Sequence, residues 1–481
     1  MKNKNFNLVV DNWIKVFDDG TKEVSLSEFF KHAHEYEILA GESRQQDLST
    51  LRFLLAIVQR VYAGETVENL LKLGKFDDRV QAYLSEYQDC FDMQGDKPFY
   101  QVTAEQYNKY TDARFKIKDS GKQLGVVPVK QFNRNVSESN NSPNLFSMVS
   151  DPKKDTLEMP ELVRWLIAYQ NFTGTSDKSK AVLGYPIRVS AGYLYKTDPV
   201  YLRGENLFET LILNFHEEKA LQRPVWEWNL DDYLEQIDEF PDNVSQIYTL
   251  LSRLIYIDWS EDEPMILATG LPLPKGLDPM TMVDSGKPRF RNLQKLHDYV
   301  AFELDKVFML SALYEFGKLG FKDKEVAIVN CNYVGDPKNP SQTPVATVFE
   351  ELQFNSNLFY DRKEDMLAVS RLVRDVIQAY SMLVYNIDKI KHTRADKKRI
   401  DKLVDEFKDA MLELIENWLL NPTELKDFAI RLENVALKEK DEKIERRLSI
   451  KDLNRTADDG KTIFELINIY GFTIRKIIKN V

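Results

Sequence analysis

Cysteine is nearly absent. Cys90 and Cys331 are the only two in 481 residues and lie far apart, which implies no disulfide framework. No Cys pair has zinc spacing, and none of His32, His34, His216, His297 and His392 belongs to an HExxH pattern. A Walker loop, a Gly-rich dinucleotide fingerprint and a GxSxG elbow are missing as well. No apolar run approaches the ~18 residues that a membrane span needs. The opening MKNKNFNLVVDNW lacks the apolar stretch of a secretory signal. A cytoplasmic protein with no membrane contact, no metal, no cofactor and no catalytic residues is the expectation. A basic excess is missing too. The net charge of −11 argues against a protein that coats itself in nucleic acid, since phosphate neutralisation draws on Lys and Arg.

What is present is an ordinary globular composition, 43% hydrophobic and 29% charged, in a chain long enough for two or more domains. Charge is unevenly divided. From Lys363 to Val481 there are 24 basic and 22 acidic residues, against 41 and 54 in the remainder. Any contact with nucleic acid is therefore local.

The pattern predicts a mixed α/β N-terminal domain over 1–362, with long functional loops, and an all-α four-helix bundle over 363–481. FNLVV and WIKVF read as β-rich runs, with a turn at Asp19-Gly20 before KEVSL. Ser25 and Glu28 have capping-box spacing at the start of a helix. A second helix, about Leu48 to Tyr62, is apolar around most of its circumference, which predicts burial. From Lys97 to about Tyr360 short elements alternate with long loops rich in Asn, Ser, Pro and Gly, a pattern that marks functional or disordered segments. Beyond Asp361 four apolar stripes run at helical spacing, the first through Val369, Val373, Val376 and Tyr380. Asn421-Pro422-Thr423-Glu424 is a stop followed by a new start.

Two polar clusters invite a chemical reading. His32 and His34, followed by Glu35, could chelate a metal in a hydrolase, but no third ligand is in view. The run KIKHTRADKKRIDK carries Lys389, Lys391, Arg394, Lys397, Lys398, Arg399 and Lys402 between the first two bundle helices. It is either an exposed inter-helix loop or a patch that follows a nucleic-acid backbone.

An ordered series of motifs carries more information. The opening FNLVVDNWIKV resembles the N-terminus of CasA proteins, the large subunits of type I-E CRISPR Cascade complexes. It is followed in order by DLSTLRFLLAIVQRVYAG, FDMQGDKPFYQV, NNSPNLFS, ELVRWLIAYQNF, YLRGENLFETLILN and the helical region. The resemblance implies a non-catalytic subunit that joins other Cascade proteins and a guide crRNA. Such a complex inspects double-stranded DNA for a short adjacent motif (the PAM), opens the duplex beside it and recruits a helicase-nuclease. Base pairing to the guide carries most of the sequence information, so the protein needs to read only a few base pairs.

The resemblance also implies site residues. A lysine-bearing hairpin that enters the minor groove has its counterpart in DPMTMVDSGKPRF, with Lys287 as the reading cation and Arg289 as its competitor. A glycine loop pressed against the groove is matched near Leu183-Gly184-Tyr185-Pro186, with Gly184 the first candidate and Ser190-Ala191-Gly192 a substitute. NPSQTPVATVFEE is similar to the hairpin that splits the first target base pair. Gln342 stands at the wedge, with Asn339 or Ser341 alongside. Asn144 and Phe146 match a loop that docks near the guide RNA 5′ end, where Phe146 could stack or plug. The competing readings are a helical-bundle adaptor unrelated to CRISPR and, more distantly, the His32/His34 hydrolase.

Overall fold

The computed structural model of the chain describes residues 5–128, 157–175, 179–195, 197, 199–260, 264–276, 280, 324–335, 344–360, 362–392 and 395–480. Its first element is a hairpin. Strands β1 (Ile14–Phe17) and β2 (Thr21–Val24) pair antiparallel with Ile14 opposite Val24, and β3 (Ile38–Leu39) adds to the other edge of β1. The segment read as an earlier strand turns instead. Asn7 Oδ1 accepts from Val9 N at 3.0 Å, and Asp11 Oδ2 accepts from Asn7 N at 2.8 Å. Short polar side chains that bond their own backbone outweigh the β propensity of the Leu and Val beside them. The helix after the hairpin, α1 (Leu26–His32), starts where the sequence places it, with Ser25 Oγ accepting from Glu28 N at 3.2 Å.

The chain divides into two compact units, Met1–Leu293 with Ile328–Glu351, and Gln294–Ala327 with Leu352–Val481. In the first, α2 (Arg44–Val61) is the central helix, buried over nearly its whole length as its apolar circumference predicts. It packs against α4 (Asp78–Glu86), α6 (Met159–Phe172), α7 (Leu207–Leu213) and α9 (Val244–Tyr248). Shorter helices α3 (Val67–Leu73), α5 (Ala104–Tyr110) and α8 (Leu230–Glu235) fill the periphery. Two further small sheets complete the described β-structure. β5 (Arg253–Asp258) pairs antiparallel with β6 (Met265–Gly270), and β4 (Val200–Arg203), β7 (Glu325–Gly335) and β8 (Pro344–Asn355) lie in the order β4-β7-β8.

A buried ion network holds the N-terminal sheet to α6. The Arg164 side chain, 4% exposed, donates to the Trp13 carbonyl at 2.6 Å, to Glu23 at 2.8 Å and to both oxygens of Glu42 at 2.6 and 2.9 Å. Lys15 adds a bond to Glu42 at 2.7 Å. Burial alone would raise the Glu42 carboxyl, but the bonds from Arg164 and Lys15 outweigh it and hold the group down at about 2. Asp47, close by in the first turn of α2, shows the opposite balance. Burial pushes it up to about 6, against the pull of the Gly41 N–H at 2.7 Å and of Arg44.

In the second unit, α10 (Asn357–Tyr360) precedes the long helices α11 (Lys363–His392), α12 (Lys397–Leu420) and α13 (Leu425–Lys443), then the short α14 (Ile450–Leu453) and α15 (Ile463–Lys479). The break between α12 and α13 falls on Asn421–Glu424, as the sequence predicts. Helix α11 packs against α12, α13 and α15. Tyr380 stacks face to face on Phe407 at 3.8 Å, and the Tyr470 hydroxyl donates to the Ala436 carbonyl at 3.3 Å. Among the described residues, no helix is long and apolar enough to cross a membrane.

The raised carboxyl of Asp47 gives a signed prediction. A folded-state value near 6, above the ordinary 3.8, contributes stability that is full below about pH 4 and is lost as pH rises through 6. Asp47→Asn removes the buried charge and keeps a carbonyl for the Gly41 N–H. Thermal denaturation is expected to give a Tm about 2–5 °C higher than wild type at pH 8 and nearly equal at pH 4.

Candidate nucleic-acid interface

The glycine loop of the first unit is built from the edge of β6 outward. Before the tip, Ala181 N donates to the Gly270 carbonyl at 3.0 Å, Gly270 N to Ser179 at 3.1 Å and Val182 N to the Tyr110 carbonyl at 2.9 Å. Ser179 Oγ and Thr269 Oγ1 meet at 2.8 Å. After the tip, Ser190 N donates to the Leu271 carbonyl at 3.1 Å and Arg253 donates to the Ser190 carbonyl at 2.8 Å. Gly192 N then bonds the Thr173 carbonyl at 2.7 Å, just past the end of α6. Between these anchors the tip is open, with Val182 51% and Tyr185 45% exposed. Partial burial and the nearby Asp238 carboxylate push the Tyr185 phenol up to about 12.

The two glycine candidates stand in different surroundings. Gly184 has φ +83°, and a Cβ there would meet nothing within 4 Å. The position favours glycine for its backbone and leaves the peptide bare to an incoming surface. A Cβ on Gly192 would lie 2.4 Å from the Asn171 carbonyl oxygen. That glycine is required by packing inside the unit.

The cationic run of the second unit spans the end of α11 and the start of α12, and acidic partners hold part of it. Lys389 bonds Asp458 at 2.8 Å, and Arg399 bonds Asp388 at 2.9 Å and Asp396 at 3.1 Å. Burial would raise Asp388, but Arg399 and the Asp396 N–H hold its carboxyl below the usual range. The Lys391 carbonyl accepts from Arg455 at 3.1 Å. Lys397 and Lys398 are exposed and make no ion pair among the described residues. The junction is thus a mixed field with free lysines at the head of α12; Asp388 and Asp396 stand beside and within the run, whereas Asp458 is brought to it by the fold.

Lys287, Arg289, Asn339, Ser341, Gln342, Asn144, Phe146 and Arg394 lie outside the described residues. Gln342 falls in the connection between β7, which ends at Gly335, and β8, which starts at Pro344, two neighbouring strands of one sheet. His32, the last residue of α1, and His34 both face Glu35, at 3.2 and 3.6 Å. Among the described residues no group of three or more His, Cys, Asp or Glu is placed to hold a metal ion.

The family model described as CRISPR-associated protein Cse1 matches residues 7–302, well over half the chain. Among solved structures the chain is similar to Cse1 of Thermobifida fusca, with a TM-score of 0.70 and 17% identity over 99% of this chain and 98% of that one. It is similar to CasA (Cse1) of Thermus thermophilus, with a TM-score of 0.64 and 16% identity over 100% of both chains. A chain of a CRISPR RNA-guided surveillance complex gives 0.64 and 14% over 98% and 100%. At these identities the likeness concerns the fold. No curated protein matches the sequence. With its mixed α/β first unit, its helical second unit and the match over 7–302, the chain belongs to the Cse1 family of CRISPR-associated proteins.

Proposed function

We propose that the chain is the large, non-catalytic subunit of a crRNA-guided Cascade surveillance complex, working in the cytoplasm with other Cascade proteins, the crRNA and double-stranded target DNA. The family match over 7–302, extended by likeness to a surveillance-complex chain along 98% of this one, carries the reading. In it, residues 1–362 form the PAM-sensing domain. Residues 363–481 form a four-helix bundle of α11, α12, α13 and α15. The complex reads the PAM, opens the duplex and recruits the helicase-nuclease.

The residues have a physical division of labour. Lys287, with Arg289 as the alternative, places a cation in the minor groove, whose acceptor pattern is degenerate, so several motifs are tolerated. Gly184 lets the backbone of an anchored loop come close to the groove. Gln342, with Asn339 or Ser341 beside it, wedges below the motif. Its amide bonds base edges left unpaired and offsets part of an unstacking cost of a few kcal/mol. Asn144 and Phe146 dock at the guide RNA 5′ end. Lys397, Lys398 and their neighbours Lys389, Lys391, Arg394 and Arg399 follow the DNA backbone, with the free lysines at the head of α12 contributing most.

Co-expression with the genes of its own locus tests the assignment. The chain is expected to copurify with a short RNA and several partner proteins, and purification without RNA would overturn it. Gln342→Ala is expected to leave assembly intact and to weaken binding of linear duplex at least tenfold more than binding of a pre-melted target, measured by gel shift. Equal losses on both targets would remove the wedge role. Lys287→Ala is expected to lower affinity for motif-bearing duplex about tenfold, the scale of one good base contact, while the complex still assembles. Unchanged affinity would leave the lysine a solvated turn residue.

A further inference from the structure

A cavity of about 390 Å³ opens in the first unit, lined by none of the glycine-loop residues 181–192 and outside the roles assigned above. Its size is within the roughly 300–1,000 Å³ of small-molecule sites. Its floor is the FDMQGDKPFYQV motif, through Pro98, Phe99, Tyr100 and Gln101, and its wall carries Trp226 and Trp228. Tyr100 stands out twice. Its φ of +51° is the only positive value among the described non-glycine residues, a conformation that costs a bulky residue energy and recurs at ligand clamps. Its side chain is nine-tenths buried, yet its hydroxyl has no hydrogen-bond partner among the described residues. The phenol therefore stands ready at the cavity with an unused donor.

The remaining lining indicates what it would meet. Both indoles already bond within the protein, Trp226 Nε1 to the Tyr83 hydroxyl at 2.9 Å and Trp228 Nε1 to the Arg223 carbonyl at 3.3 Å. They offer rings, not donors. The Arg223 guanidinium lies 4.1 Å over the Trp228 ring, forming a planar cationic stack. Lys97 is exposed at the rim and makes no ion pair among the described residues. Glu227, the acid beside the indoles, is engaged by Arg60 at 2.9 Å and Tyr83 at 2.8 Å. Indole and phenol rings select a ring, the Tyr100 hydroxyl bonds the ring edge, and Lys97 and Arg223, set against the single rim carboxylate Asp96, leave a net cationic edge that selects an attached anion. We infer that this cavity binds a single unpaired nucleotide, its base against Tyr100 and the indoles and its phosphate beside Lys97 and Arg223. The nucleotide is either free or part of a single strand.

Cys90 lines the same cavity and is half-buried, whereas Cys331 is buried; burial pushes both thiols up, so accessibility is what separates them. Maleimide modification of Cys90 in the full chain therefore reports occupancy. AMP, UMP and a short mixed-sequence single strand are titrated in turn. Each ligand that fits is expected to slow the modification, and Tyr100→Phe and Lys97→Gln each to raise the concentration required about five- to tenfold, the worth of one hydrogen bond. Tyr100→Phe removes no bond within the protein, so it tests the site without unfolding it. Protection by mononucleotides alone assigns the cavity to free nucleotide, and protection by the strand alone assigns it to a nucleotide within a strand. No protection by any of the three, or protection undiminished in both variants, overturns the inference. Protection that persists in a Lys287→Ala, Gln342→Ala double variant separates this cavity from the PAM-reading residues.

Discussion

A guanidinium in a protein interior must be fully bonded or it destabilises the fold, because few groups cost more to desolvate. Arg164 meets that condition by drawing in the Trp13 carbonyl, Glu23 and both oxygens of Glu42. These partners lie on the hairpin and on the turn into α2, so the one side chain fixes the N-terminal sheet against α6. The consequence runs along that helix. Its last turn and the residue beyond it supply the Asn171 and Thr173 carbonyls that receive the return of the glycine loop. The packing glycine Gly192 can sit there only because α6 is held in place.

Periodicity made the helices legible. Val369, Val373, Val376 and Tyr380 share one face of α11, and all are buried. Local chemistry made two boundaries legible, the Ser25 cap and the break at Asn421–Glu424, because caps and stops depend on neighbours in sequence. Long-range pairing was another matter. Glu23 and Glu42 stand 141 and 122 residues from Arg164, and no spacing rule connects them. The same holds for Asp458, which is 69 residues from Lys389. A count of basic residues therefore overstated the field at the α11–α12 junction.

The candidate site was legible in a different sense. Nothing in the chemistry of Ser285-Gly286-Lys287-Pro288 or of Asn339-Pro340-Ser341-Gln342 marks either as a reader of DNA; that expectation rests on the family resemblance alone. Gly184 and Gly192 looked interchangeable as letters. What separates them is the carbonyl of Asn171, a tertiary neighbour that the sequence does not disclose. Tyr100 carries no sign of its conformation in the sequence, because a left-handed backbone at a tyrosine has no sequence signature.

The loop around Gly184 is tied down on both flanks while its tip stays bare, and that arrangement bears on conformational entropy. A free loop surrenders freedom when it meets a partner, which subtracts from affinity. Here much of that freedom was already lost at folding, through the bonds to β6 and to the end of α6. An encounter at the tip therefore begins from a narrow ensemble. Lengthening the tip widens that ensemble only slowly, by about 0.6 kcal/mol of closure entropy for each doubling. A change of tip length therefore costs little, while loss of the anchoring bonds on either side would release the freedom that folding has removed.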